Sequence, residues 1–332
     1  MPQIQTISQL LGSTGSQYRI FDIGRRVTKL TYRSFLQFEE ALTPYPFPLQ
    51  RHAWLGILFW STKTPEDQAI WFVKLPLDEQ GLLKQSARND FLRRMLEETD
   101  QPHKEIPDSP WGFQPSEYKM ACFHSRARME MGMPPSPHLE QVLNYLHKNT
   151  TDNWQKLALQ GIADVAAHWK EHSNLLAKAM AWIPEPVFIS LCQCLENEEI
   201  DNNLMQVITQ RAGGNTGHQN IAACIRAISN ARSPAPRREF LKKILASPDN
   251  VNIEILASIA GRCWQDLEVT SINQPYLEAL ARNDSGQEAF NQVLLDLLFL
   301  TNTGAAIRRA FKNPDRSEPL AQAIGSFLSD VH

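Results

Sequence analysis

From about Ser116 onward, the chain reads as short amphipathic helices following one another with no strand between them. The apolar spacing predicts helices over 117–131, 138–147, 153–169, 175–182, 186–195, 200–212, 218–231, 236–246 and 251–264, and four more after residue 274. In the second of these, Leu139, Val142, Leu143 and Leu146 recur at three- and four-residue spacing, which places them on one face of a helix. Ser136 precedes that helix as a cap, and Gly213-Gly214 and Pro186 punctuate others. A short helix, a polar turn and a longer apolar helix recur three times, at 188–212, 241–264 and 276–300. Helices paired in this way cannot bury their apolar faces alone and stack on their neighbours. In outline the pattern resembles HEAT-type helical repeats.

The first 99 residues read differently. Tyr18 to Ile23 has strand composition and stops at Gly24. Residues 53–60 are apolar on both faces, as in a central strand, and 69–73 supply a partner across a polar loop at 61–68. Helices are expected over 4–11, 31–42 and 80–98. Pro102, Pro107, Pro110 and Pro115 mark 100–115 as a linker. The expected fold class is therefore mainly α: a small α+β domain with a β-hairpin over 1–99, a proline-rich linker over 100–115, and a HEAT-like α-helical repeat domain over 116–332.

Composition narrows the function classes. Hydrophobic residues make up 42% of the 332 residues and charged residues 21%, an ordinary balance for a folded protein. The formal net charge of -3 lacks the basic excess expected of a general nucleic-acid or membrane-surface binder. The longest apolar runs, 53–60 and 293–300, are far short of the roughly 20 residues that span a bilayer. Cys122, Cys192, Cys194, Cys224 and Cys263 sit unevenly inside apolar stretches, which fits reduced, buried thiols rather than a disulfide framework. The N-terminus shows no basic start followed by an apolar run, so a cytoplasmic protein is expected.

Three stretches taken together, Phe21-Asp22-Ile23-Gly24-Arg25-Arg26-Val27, Pro110-Trp111-Gly112-Phe113 and Gly132-Met133-Pro134-Pro135-Ser136, resemble an uncharacterised family of bacterial proteins known only as a domain of unknown function. The resemblance covers most of the chain and implies no activity, substrate or site residue.

The residues themselves offer few sites. His168-Trp169-Lys170-Glu171-His172 matches H-x-x-E-H, the inverted zinc-protease pattern. On one helix His168 and His172 would lie a turn apart and share a zinc ion, with Glu171 as general base and Glu239 or Glu254 as a third ligand. The plainer reading is two histidines at a polar helix end. Cys192 and Cys194, two apart on a helix, point in nearly opposite directions and suit core packing. Asp22-Ile23-Gly24 has the form of a phosphate-binding turn, and equally of a strand end. No catalytic residue and no cofactor motif is assigned.

Two basic clusters remain. One is Arg19, Arg25, Arg26, Lys29 and Arg33. The other is Arg226, Arg232, Arg237, Arg238, Lys242 and Lys243, and its last four residues lie close to one face of a helix opened by Pro236. Such a face can grip phosphates or an acidic partner, although a solvated helix face is the commoner origin of a charge run. Trp111, placed among prolines, is a candidate partner contact. The expected function is a non-catalytic scaffold or adaptor that binds an acidic protein partner through the helical surface, with Arg226, Arg232, Arg237, Arg238, Lys242, Lys243 and Trp111 as binding residues. A zinc-dependent hydrolase using 168–172 and an RNA-associated helical-repeat protein are the alternatives; nucleic acid is the less favoured partner and no membrane is expected.

Overall fold

The apolar run at 53–60 forms β3 (His52–Trp60), one of two central strands in a four-stranded sheet. The computed structural model describes residues 4–13, 15–61, 68–97, 109–213, 217–247 and 249–330. The sheet also holds β1 (Gln17–Asp22), β2 (Thr28–Lys29) and β4 (Gln68–Pro76), in the order β2-β1-β3-β4. All neighbours are antiparallel, with Ile57 opposite both Ile20 and Trp71. The expected hairpin is β3–β4; part of its loop, and the expected linker as far as residue 108, lie outside the described residues.

Helices cover both faces of this sheet. Along β4 successive side chains alternate sides, so Trp71 meets Phe91 of α3 (Gln85–Glu97) while Phe72 meets Phe123 of α4 (Glu117–Glu130). The two smaller helices of this part are α1 (Ile7–Ser13) and α2 (Tyr32–Glu39). The Thr31 side chain caps α2 by accepting from Ser34 N at 3.1 Å. Helix α3 starts five residues later than its periodicity predicts. Asp78 Oδ1 accepts from the backbone of Gln80 and Leu82, at 2.9 Å each, and holds that stretch in a turn.

Helix α4 was expected to open the stack of helices, but it packs on the sheet. Phe123 lies against Gly56 of β3, where an ideal Cβ would sit 2.5 Å from its ring. Its ring stands edge-on to Phe21 and Phe72 at 5.2 and 5.3 Å. Lys119 donates to the carbonyls of Ile23 and Gly24, and Glu130 pairs with Lys29 at 2.7 Å and Arg19 at 3.2 Å. The chain accordingly divides into units of Met1–Pro135 and Ser136–His332, not at residue 116.

The second unit is a helical stack, and the chain is mainly α. It runs through α5 (His138–Lys148), α6 (Leu159–Ala167), α7 (Ser173–Ala179), α8 (Glu185–Leu195), α9 (Asn202–Gln210), α10 (His218–Ile228), α11 (Pro234–Ala246), α12 (Ile253–Arg262), α13 (Thr270–Leu280), α14 (Gly286–Phe299), α15 (Thr301–Ala310) and α16 (Glu318–Asp330). Helices α6, α8, α10, α12 and α14 pack in series as one layer. The interfaces are apolar: Leu191, Cys192, Cys224, Ile225, Ile255 and Ile259 are fully buried or nearly so. Each aliphatic side chain buried in this way contributes about 1.5–3 kcal/mol relative to exposure. Two predicted helices are interrupted by 3-10 turns. Asn153, in the left-handed region at φ 59°, opens a 3-10 turn at Trp154–Lys156 that extended Leu157 and Ala158 separate from α6, and α12 gives way to a 3-10 turn at Trp264–Glu268. Among the described residues no helix is long and apolar enough to cross a membrane.

Candidate functional site

The six cations of the second basic cluster separate once the helices are packed. Arg237 is buried on α11, with Nε 2.6 Å from Asp266 Oδ2 and Nη2 3.0 Å from Oδ1. Arg238 donates to the same carboxylate at 2.9 Å. Lys242 pairs with Glu239 one turn away on its own helix, and Arg232 pairs with Glu199 where both are exposed. Lys243 is exposed at the helix end. Arg226 lines a depression in the helical unit. The helix face that looks basic in sequence is thus largely neutralised by its own neighbours. Trp111 likewise serves its own unit: its Nε1 donates to Asp90 at 2.9 Å and its carbonyl accepts from Lys74 N at 2.8 Å beside β4.

The histidine pair is not on one helix. Helix α6 ends at Ala167 and α7 begins at Ser173, so 168–172 is the turn between them. His168 Nδ1 lies 2.9 Å from the Asp164 carbonyl. Among the described residues no three His, Cys, Asp or Glu side chains gather closely enough to hold a metal ion. Cys192 and Cys194 are fully buried in α8, and burial pushes the Cys192 thiol well above its ordinary range. The turn at Asp22 is filled from within. Its buried carboxylate accepts from the backbone of Gly24, Arg25 and Arg26 and from the Tyr45 hydroxyl, which occupies the donors a phosphate would use.

The strongest site lies across α8, α10 and α12. A depression of about 470 Å³ is lined by Gln193 of α8, by Gln219, Ala222, Ala223 and Arg226 of α10, and by Glu254, Ala257, Ser258 and Arg262 of α12. On α10 and α12 these residues recur at three- and four-residue spacing, so each helix presents one stripe to the depression. Glu196 caps the C-terminal end of α8 and is fully buried. Its Oε2 accepts from Arg226 Nε at 2.7 Å and from Arg262 Nε at 2.8 Å. Both arginines stand in the last turns of their helices, so α8, α10 and α12 run parallel with their C-terminal ends together.

This arrangement has clear electrostatics. Burial would raise the Glu196 pKa, but the Arg262 and Arg226 charges and hydrogen bonds outweigh it and hold the carboxyl below its ordinary range. Both guanidinium groups share one oxygen of this buried carboxylate. Anchoring each guanidinium through Nε fixes its plane, and a fixed planar fork suits recognition of carboxylates. The stripes offer amides, guanidinium groups, the Glu254 carboxylate, the Ser258 hydroxyl and small side chains. Of these residues the sequence reading named Arg226 as a binding residue. Glu196, Gln193 and Arg262 went unseen, because the contacts that unite them span 30 and 66 positions. Aligning the C-terminal ends of the three helices would have brought them together.

The model of one family, described as protein of unknown function (DUF3549), matches residues 2–328 of the chain. No curated protein matches the chain, and no solved structure does.

Proposed function

The chain belongs to the DUF3549 family, whose function is unknown, and from its own geometry we propose that it is a non-catalytic adaptor. In this reading the helical unit is a HEAT-like stack and binds a protein partner in the groove across α8, α10 and α12. One observation carries the reading. Two arginines from successive helices of one layer are held on a single buried carboxylate at the edge of a groove floored by small residues. A buried ion pair of this kind costs desolvation and is weak support for stability alone. Its worth is in orienting donors toward a ligand. Five buried thiols, none in a disulfide, support a place in the cytoplasm.

The test is a photo-crosslinking residue at Gln193, in the groove, compared with one at Gln206, exposed on α9 outside it. Expressed in its host, the Gln193 form should capture a defined protein that the Gln206 form does not. Equal capture at both positions, or none, overturns the adaptor reading.

A further inference from the structure

In the first unit the sheet opens at one edge. Leu30 N donates to the Ile20 carbonyl at 2.8 Å, and the next residue, Thr31, caps α2 and turns the chain away from β1. The gap left along β1 is a depression of about 790 Å³, within the roughly 300–1,000 Å³ of small-molecule pockets. Ser8 of α1 lines it, together with the buried apolar side chains of Ile20, Leu30 and Phe35. By the alternation of an antiparallel strand, Tyr18 turns its backbone N–H to the same side as Ile20, toward this gap.

Two features of the lining are not explained by packing. Ser8 is only 7% exposed, and its Oγ lies near the Tyr18 hydroxyl and the Glu39 carboxylate, yet it makes a hydrogen bond of normal geometry with neither. A buried hydroxyl in that position is costly unless another group meets it. Tyr32 is 61% exposed and sets its ring 6.1 Å from that of Tyr18, beside the depression. Gln17 and Thr31 add an amide and a hydroxyl, each able to donate and accept. The two cations of the lining, Arg19 and Lys29, are held on Glu130 at 3.2 and 2.7 Å, and its other polar side chains are neutral.

We propose that this depression binds a neutral, hydroxyl-rich ring, a monosaccharide unit, with the apolar face of the sugar on the Tyr32 ring and one of its hydroxyls on Ser8 Oγ. A sugar ring carries both kinds of surface that the site presents. Its C–H groups suit an aromatic face, and its hydroxyls donate to and accept from Ser8, Gln17 and Thr31. A flat aromatic ligand without hydroxyls leaves Ser8 Oγ unmet, and an anion has to draw Arg19 and Lys29 away from Glu130. The competing account is a water molecule on Ser8 Oγ and a Tyr32 ring that only rests against Tyr18.

The experiment uses the full chain and four sugars as probes: D-glucose, D-galactose, N-acetyl-D-glucosamine and D-ribose. Glycerol, which has hydroxyls but no ring face, is the control. By saturation-transfer-difference NMR at least one sugar should receive saturation at its ring C–H protons, with a Kd of about 1–10 mM, and glycerol should receive none. Tyr32→Ala should weaken that sugar about tenfold, whereas Tyr32→Phe, which keeps the ring, should stay within about twofold of the wild type. Ser8→Ala should weaken it about threefold or more, through loss of the hydroxyl. Thermal melting confirms that each variant is folded. Should Ser8→Ala prove unstable, the Tyr32 pair decides, because that side chain is exposed and its replacement leaves the core untouched. No transfer to any of the four sugars, or equal binding by the wild type and Tyr32→Ala, overturns the proposal.

Discussion

Arg237 lies flat against the buried carboxylate of Asp266, with one guanidinium nitrogen 2.6 Å from Oδ2 and another 3.0 Å from Oδ1. A third nitrogen donates to the Ala231 carbonyl at 3.1 Å. The side chain thereby ties α11 to the 3-10 turn after α12 and to the segment before α11 itself. That use accounts for a basic residue which, read along the helix, looks like part of a binding face.

The first prediction follows. Arg237→Ala leaves Asp266 buried with only Arg238, and breaking a buried pair costs about 3–5 kcal/mol. Urea unfolding of that variant should show a clearly lower midpoint. Lys242→Ala and Lys243→Ala, at the surface of the same helix, should stay within about 0.5 kcal/mol of the wild type. A wild-type midpoint for Arg237→Ala would mean that the Asp266 pair is not structural.

Glu196 gives a pH signature. Its folded carboxyl titrates below the unfolded value of 4.5, because the Arg262 and Arg226 pairs outweigh its burial. Below 4.5 the unfolded chain therefore binds more protons at this site than the folded one. The stability from Glu196 is complete above 4.5 and is lost as pH falls through the lowered folded value. Glu196→Gln should cost about 3 kcal/mol at neutral pH. Its deficit should shrink steadily as the pH is lowered below 4.5. Chemical denaturation across that range checks this, and a constant deficit at every pH would contradict it.

Gly56 tests the place of α4. A Cβ at this position in β3 would lie 2.5 Å from the Phe123 ring of α4. Gly56→Ala should destabilise the first unit by about 1–3 kcal/mol through overpacking. Phe123→Leu in the same chain should recover part of that loss, because it removes the ring atoms in the way. Calorimetry on the two single variants and the pair measures the coupling. Strictly additive losses would show that the two sites do not touch in solution.

Much of the architecture was legible before any contact was known. The β3–β4 hairpin, the mainly α class and the succession of helices follow from period-two and period-3.6 patterns, which are local. Errors appeared where a contact or a chain break outside the periodic pattern intervenes. Asp78 holds as a turn residues that read as the first turn of α3. Helix α4 has the same composition as the helices of the stack, yet Gly56 leaves room for Phe123 on the sheet. The 168–172 motif assumes one continuous helix, and the break at Ala167 separates its histidines from that geometry.

The charged residues mark the division most plainly. A stripe of apolar residues such as Val142 and Leu146 needs only its own helix to declare which face is buried. A charged side chain declares nothing until its partner is placed. Arg226 and Arg237 sit eleven positions apart in one basic stretch; one lines a groove on Glu196 while the other is sealed on Asp266. The sequence by itself determined where helices and strands form, because backbone hydrogen bonding and side-chain periodicity act over a few residues. Which cations are spent on internal carboxylates and which meet the groove was decided by the tertiary structure alone, because an ion pair depends on distance in space and the carboxylates of Asp266 and Glu196 lie 28 to 66 positions from their arginines in the chain.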